Sequence, residues 1–139
     1  MAKKKTVKEK KPAVNTKKIK LVHVINGQQT LEKLYNVKLD GASAYKYHKV
    51  VTRLLKEVKT FNAVQNKYIQ DNGVKDEKKN TFSIPKDDIE KVEAYYKYIQ
   101  PMIDQEIEAP DPIFAVKDLD GIELSMADVE NLEQMNLLK

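Results

Sequence analysis

Cysteine is absent from this chain, which excludes disulfides, thiolate nucleophiles and sulfur-ligated zinc and favours a cytosolic setting. Tryptophan is absent too, and the two histidines, His23 and His48, share no metal-ligand spacing such as HxxxH or HxxE. Only four glycines occur, and no GxGxxG, GxxxxGK or GxSxG is formed, so dinucleotide, phosphate-loop and nucleophile-elbow chemistry have no carrier. No apolar run approaches the roughly 20 residues of a membrane span. The basic start is not followed by an apolar stretch, so no signal peptide is expected. The sequence therefore offers no catalytic residues, no cofactor, no metal and no membrane partner.

What remains is a charged, helix-prone chain of 139 residues, 41% hydrophobic and 33% charged, enough for one domain around one core. The net charge of +4 is unevenly spread. Residues 1–20 hold nine lysines against Glu9, a balance of +8, so the remainder is mildly acidic at −4. Residues 1–18 combine this lysine density with Pro12 and no hydrophobic period, which predicts a disordered basic arm. Lys3, Lys4, Lys5, Lys8, Lys10, Lys11, Lys17 and Lys18 are its candidate nucleic-acid contacts, since such arms bind phosphates without reading bases. The plainer alternative is a solubilising tail or a tether. Residues 19–139 form the single helix-rich domain.

The domain is organised around residues 41–72. Ala44, Tyr47, Val51, Leu54, Val58, Phe61, Gln65 and Tyr68 recur at steps of three and four, one face of a long helix, with Val50, Leu55, Val64 and Ile69 widening the stripe. Asp40 or Ser43 suits its start, and Asn72-Gly73 its stop, glycine accepting the left-handed turn that often follows a helix. The opposite face carries Lys46, Lys49, Arg53 and Lys56, a second candidate nucleic-acid surface. His48 falls at the boundary between the faces.

Ahead of this helix, Ile19–Ile25 is rich in β-branched residues and reads as a short strand with His23 a structural member. Asn26 then caps a short helix holding Leu31, Leu34 and Tyr35 inward. Behind it, 73–80 is a charged loop and 81–85 is extended. A second long helix over 86–106 opens on Asp87 and Asp88 and turns Ile89, Val92, Tyr96, Ile99 and Ile103 inward, with Pro101 kinking or restarting it. Its balance of −3 against +5 for residues 41–70 favours an antiparallel pairing assisted by ion pairs. Ile113–Val116 is a short strand, expected to pair with 19–25. Ser125 caps a last helix, Asp128 reaching back and Leu124 packing on Val129, with Leu132 and Met135 inward. Asp118-x-Asp120-Gly121-x-Glu123 has the look of a calcium-loop fragment but lacks its third acidic position and closing glutamate, so no metal is assigned.

The fold expected is α+β, mostly α: an antiparallel hairpin of long helices, short helices, and a small two-stranded β element. With no catalytic motif in the sequence, binding is the leading expectation and a small enzyme the third. Tyrosine gives large contact area at low entropic cost, and Tyr45, Tyr95 and Tyr98 are the candidate protein-interface anchors. The order of Lys18-Ile19-Lys20, Lys38-Leu39, Tyr45-Lys46 and Asp120-Gly121-Ile122-Glu123-Leu124-Ser125 along the chain resembles a family of small bacteriophage and prophage proteins of Gram-positive bacteria, over residues 18–135. The lysine arm, Gly121 and Pro101 depart from that family. The resemblance implies a phage accessory role, in the virion or its assembly; with it, the leading expectation is a non-enzymatic protein that binds another protein, of phage or host, in the host cytoplasm or the virion. The resemblance carries over no catalytic residue. The alternative function is nucleic-acid binding through the arm and the basic helix face.

Overall fold

A computed structural model describes residues 17–139. The chain forms β1 (Lys18–Lys20), α1 (Leu21–Asn26), α2 (Gln28–Lys33), a 3-10 turn (Leu34–Asn36), α3 (Gly41–Asn72), β2 (Val74–Asp76), β3 (Thr81–Ser83), α4 (Ile89–Ile103), β4 (Glu106–Glu108), a second 3-10 turn (Val116–Leu119) and α5 (Met126–Gln134). It is a mostly helical α+β fold with two small antiparallel sheets, β1 on β4 and β2 on β3. Among the described residues, no helix is long and apolar enough to cross a membrane.

α3 matches its periodicity. Asp40 caps it by accepting the Ser43 amide at 2.8 Å, and its 32 residues extend about 48 Å. Tyr47, Val51, Leu54, Val58 and Phe61 are buried, while Ala44, expected inside, is exposed. The helix stops at Gly73 for a reason other than a left-handed turn. Gly73 is extended (φ −86°, ψ −179°), and a Cβ there would lie 2.5 Å from the Ile69 carbonyl oxygen and 2.7 Å from that of Ser83. The β2–β3 ribbon folds so tightly against the helix end that only glycine fits.

The main core gathers Val24, Leu31, Leu34, Tyr47, Val51, Leu54, Phe114, Leu132, Met135 and Leu137 among others. Phe114 is fully enclosed and meets Tyr47 edge-on at 5.1 Å. The chain end closes over it: the amides of Ile113 and Phe114 both donate to the Leu137 carbonyl, and that of Lys139 donates to Phe114. A smaller cluster of Leu21, Phe61 and Ile99, with Tyr95, Met102 and Ile103, joins α1, α3 and α4.

Several expectations are corrected. Residues 19–25 are not one strand: only 18–20 pair, and the Leu21 amide donating to Gln105 ends the ladder. Leu21 and Val24 then turn inward on one helix face, so burial overrides β-branched propensity. The partner is 106–108 rather than 113–116, with Ile19 opposite Ile107, and Lys18 and Lys20 opposite Glu108 and Glu106. Phe114 makes only an isolated parallel bridge to Leu138. The cap of α2 is Gly27 rather than Asn26, and Tyr35 is exposed. The charged loop contains β2 and leads into β3.

The second long helix is shorter than expected, fifteen residues capped by Asp88, and Asp87 lies outside it. Its inward face is the expected one at Val92, Ile99 and Ile103 but not at Ile89 and Tyr96. Val92, Tyr95, Ile99, Met102 and Ile103 face the fold while Ile89 and Tyr96 are exposed. It runs through Pro101 to Ile103, since a proline in the last turn removes only one rung. Among the described residues no ion pair joins α3 to α4. They meet through Lys91 Nζ donating to the Asn72 carbonyl, Gln65 Nε2 donating to Tyr95 Oη, and contacts of Tyr68 with Tyr95 and Tyr98. Leu132 on α5 and Met135 just past its end are buried as expected, but Leu124, ahead of it, packs on the main core and Val129 is exposed.

Candidate interaction surfaces

Four tyrosines gather where α3 and α4 meet. The Tyr68 and Tyr98 rings stack at 4.3 Å and 25°, Tyr95 lies 6.0 Å from Tyr68, and Tyr96 meets Tyr95 edge-on at 5.6 Å. Gln65 Nε2 donates to Tyr95 Oη at 2.8 Å, which holds the ring half-buried. Tyr95 is therefore a support of the patch rather than an exposed anchor. Tyr96 and Tyr98 present its open area, 58% and 45% exposed. Glu90 and Glu93 lie exposed on the same short helix. The sequence could not separate Tyr95 from Tyr96, because adjacent residues on a helix differ by about 100° and both sides of this one carry apolar residues.

The basic row occupies another part of the surface. Lys46, Lys49 and Lys56 are exposed, and Arg53 is half-buried because its Nη1 donates to the Glu108 carbonyl at 3.0 Å. Tyr45, 67% exposed, lies under Lys49, whose Nζ is 5.4 Å from the ring centre. Of the arm lysines, Lys17 and Lys18 belong to described structure: Lys17 Nζ donates to Asn136 Oδ1 at 2.9 Å, and Lys18 is the first residue of β1. Lys3, Lys4, Lys5, Lys8, Lys10 and Lys11, with the expected disorder of the arm, lie outside the described residues.

One polar cluster was not foreseen. Asp128 is buried; its Oδ1 accepts Thr30 Oγ1 at 2.6 Å, and its Oδ2 accepts Lys33 Nζ at 2.6 Å and the Ser125 amide at 2.9 Å. The Asp128 amide donates to Ser125 Oγ at 3.1 Å, completing a capping box. Asn131 adds a bond to Thr30 Oγ1 at 3.2 Å. The Lys33 ammonium, then Thr30 and the Ser125 amide, hold the Asp128 carboxyl well below its ordinary value of 3.8, against the opposing effect of burial. The cluster clamps α2 to α5. Local spacing identified Asp128 as a capping residue, but nothing local signals partners more than ninety residues away.

Other polar groups are used internally. Tyr47 Oη donates to the Leu31 carbonyl at 2.9 Å, and burial, with Tyr35 nearby, raises its pKa. His23 Nδ1 accepts the Lys20 amide at 3.3 Å, a structural role, and His48 is exposed. In the fragment resembling a calcium loop, Asp118 accepts the Ala115 amide and forms a 3-10 turn. Among the described residues no group of three or more histidine or acidic side chains is placed to hold a metal ion. There, too, every fully buried side-chain nitrogen or oxygen has a hydrogen-bond partner. No protein family, curated protein or solved structure matches this chain.

Proposed function

We propose that this protein works without catalysis, by binding another protein through the tyrosine face of α4. The observation that carries the reading is the patch itself. Tyr96 and Tyr98 are exposed on a short helix, and their neighbours Tyr68 and Tyr95 are already ordered by stacking and by the Gln65 bond. A pre-ordered aromatic surface loses little side-chain entropy on docking, which is why tyrosine concentrates at binding hot spots. We take α3 and α4 together as the arms of an antiparallel helical hairpin that presents this face. The resemblance of residues 18–135 to small phage proteins supports a phage accessory role, in the virion or its assembly, in the host cytoplasm.

The test compares tagged wild type with a Tyr96→Ala, Tyr98→Ala double variant as bait in phage-infected cells, followed by direct binding with each purified candidate. Both side chains are exposed, so the variant should keep wild-type helicity. One or more partners should bind wild type directly and the variant at least tenfold more weakly, as the loss of a hot spot implies. Equal binding of every partner by both forms would reject this face.

A further inference from the structure

On the side of α3 away from the core, Lys46, Lys49, Arg53 and Lys56 follow one another at steps of three, four and three, along about 15 Å of helix. Among the described residues none of the four is in an ion pair; the helix's ion pair, Lys67 with Asp71, lies three turns further on. Glu57 is the sole acid between Gly41 and Gln70. Tyr45 heads the row, its exposed ring beside the Lys49 ammonium, so a stacking surface and a line of cations sit together. The bond from Arg53 to Glu108 ties the row to β4, and Glu108 lies opposite Lys18 on β1. In the sequence, residues 1–16 add six lysines and one glutamate, so their charge must be separated from that of the row by experiment.

We infer that this face of α3 binds the phosphate backbone of nucleic acid. It uses none of the residues of the tyrosine face on α4 and stands or falls independently of it. Lysine ammoniums are point charges that meet phosphate oxygens without reading bases, and the guanidinium of Arg53 is already engaged. Binding is therefore indifferent to sequence. The exposed ring of Tyr45 can stack on an unpaired base, which favours single strands over duplex and favours nucleic acid over an acidic protein.

The experiment measures binding of the full chain to labelled random-sequence single strands and duplex by fluorescence anisotropy across a salt series. Four variants accompany it: Lys46→Glu, Lys49→Glu, Lys56→Glu combined; Tyr45→Ala; deletion of residues 2–16; and, as a control of equal charge change, Lys75→Glu, Lys78→Glu, Lys79→Glu on the exposed β2–β3 ribbon. Reversing the row should weaken binding about tenfold or more at physiological salt and flatten the salt slope by about two to three. Tyr45→Ala should weaken single-strand binding more than duplex binding. The deletion should leave binding that the row reversal abolishes. Equal losses from the row and ribbon reversals would reduce the effect to net charge and overturn the site. So would a row reversal without effect, or polyglutamate competing as well as single-stranded DNA, which would point to an acidic protein.

Discussion

The Asp128 carboxylate accepts bonds from Thr30, Lys33 and Ser125, so its charged form is favoured in the fold over its form in the unfolded chain. The sign of the linkage follows. A carboxyl with a depressed folded pKa contributes its full stabilisation above the unfolded value and loses it as pH falls toward the folded one. Asp40, whose carboxyl is lowered by the amide and hydroxyl of Ser43, acts in the same direction. Urea titration of wild type should therefore show falling stability from about pH 5 down to about pH 2. Asp128→Asn should cost roughly 1.5–3 kcal/mol at neutral pH, the range for hydrogen bonds to a charged group, and should flatten that acid slope. An unchanged slope would mean that other carboxyls carry the acid dependence. The Lys33 end of the clamp is partly screened, its side chain being 44% exposed.

At the scale of elements, the two apolar clusters set different costs for similar truncations. Leu54 is fully enclosed in the main core, whereas Ile99 belongs to the small cluster under α4. Leu54→Ala should fall in the upper half of the roughly 2–5 kcal/mol range for such changes, and Ile99→Ala in the lower half. Denaturant titration decides it, and a reversed order would mean the small cluster is the tighter of the two. α3 was legible because its repeat runs long enough to fix one face, and the Ser125–Asp128 box because both partners lie within one turn. Strands of three residues carry no period to read, which is why β2 and β4 leave no signal and the strand expected over 19–25 overlaps β1 only at Ile19 and Lys20. The facing of α4 was legible in part: Val92, Ile99 and Ile103 point inward as their spacing predicts, while the choice of Tyr95 over Tyr96 depends on the distant Leu21, Phe61 and Gln65. The cations of α3 were legible from spacing alone, while their link to β4 through Arg53 and Glu108 needed the fold.

Across the whole molecule, the division of the core has a kinetic meaning. α4 is held by the small cluster, by single side-chain bonds to α3, and by the strand that follows it, whereas the middle of α3 is enclosed with α2, α5 and the chain end. Proteins open in cooperative units, and a unit with few enclosed apolar side chains opens at lower free energy. Native-state amide exchange should therefore show residues 92–99 exchanging through a sub-global opening while residues 51–58 wait for complete unfolding. Equal opening free energies in the two segments would make the fold a single unit. Tyr96 and Tyr98 ride on the segment that opens first. A partner gripping them would suppress that opening, so its arrival would register as slowed exchange along α4 even where it makes no contact.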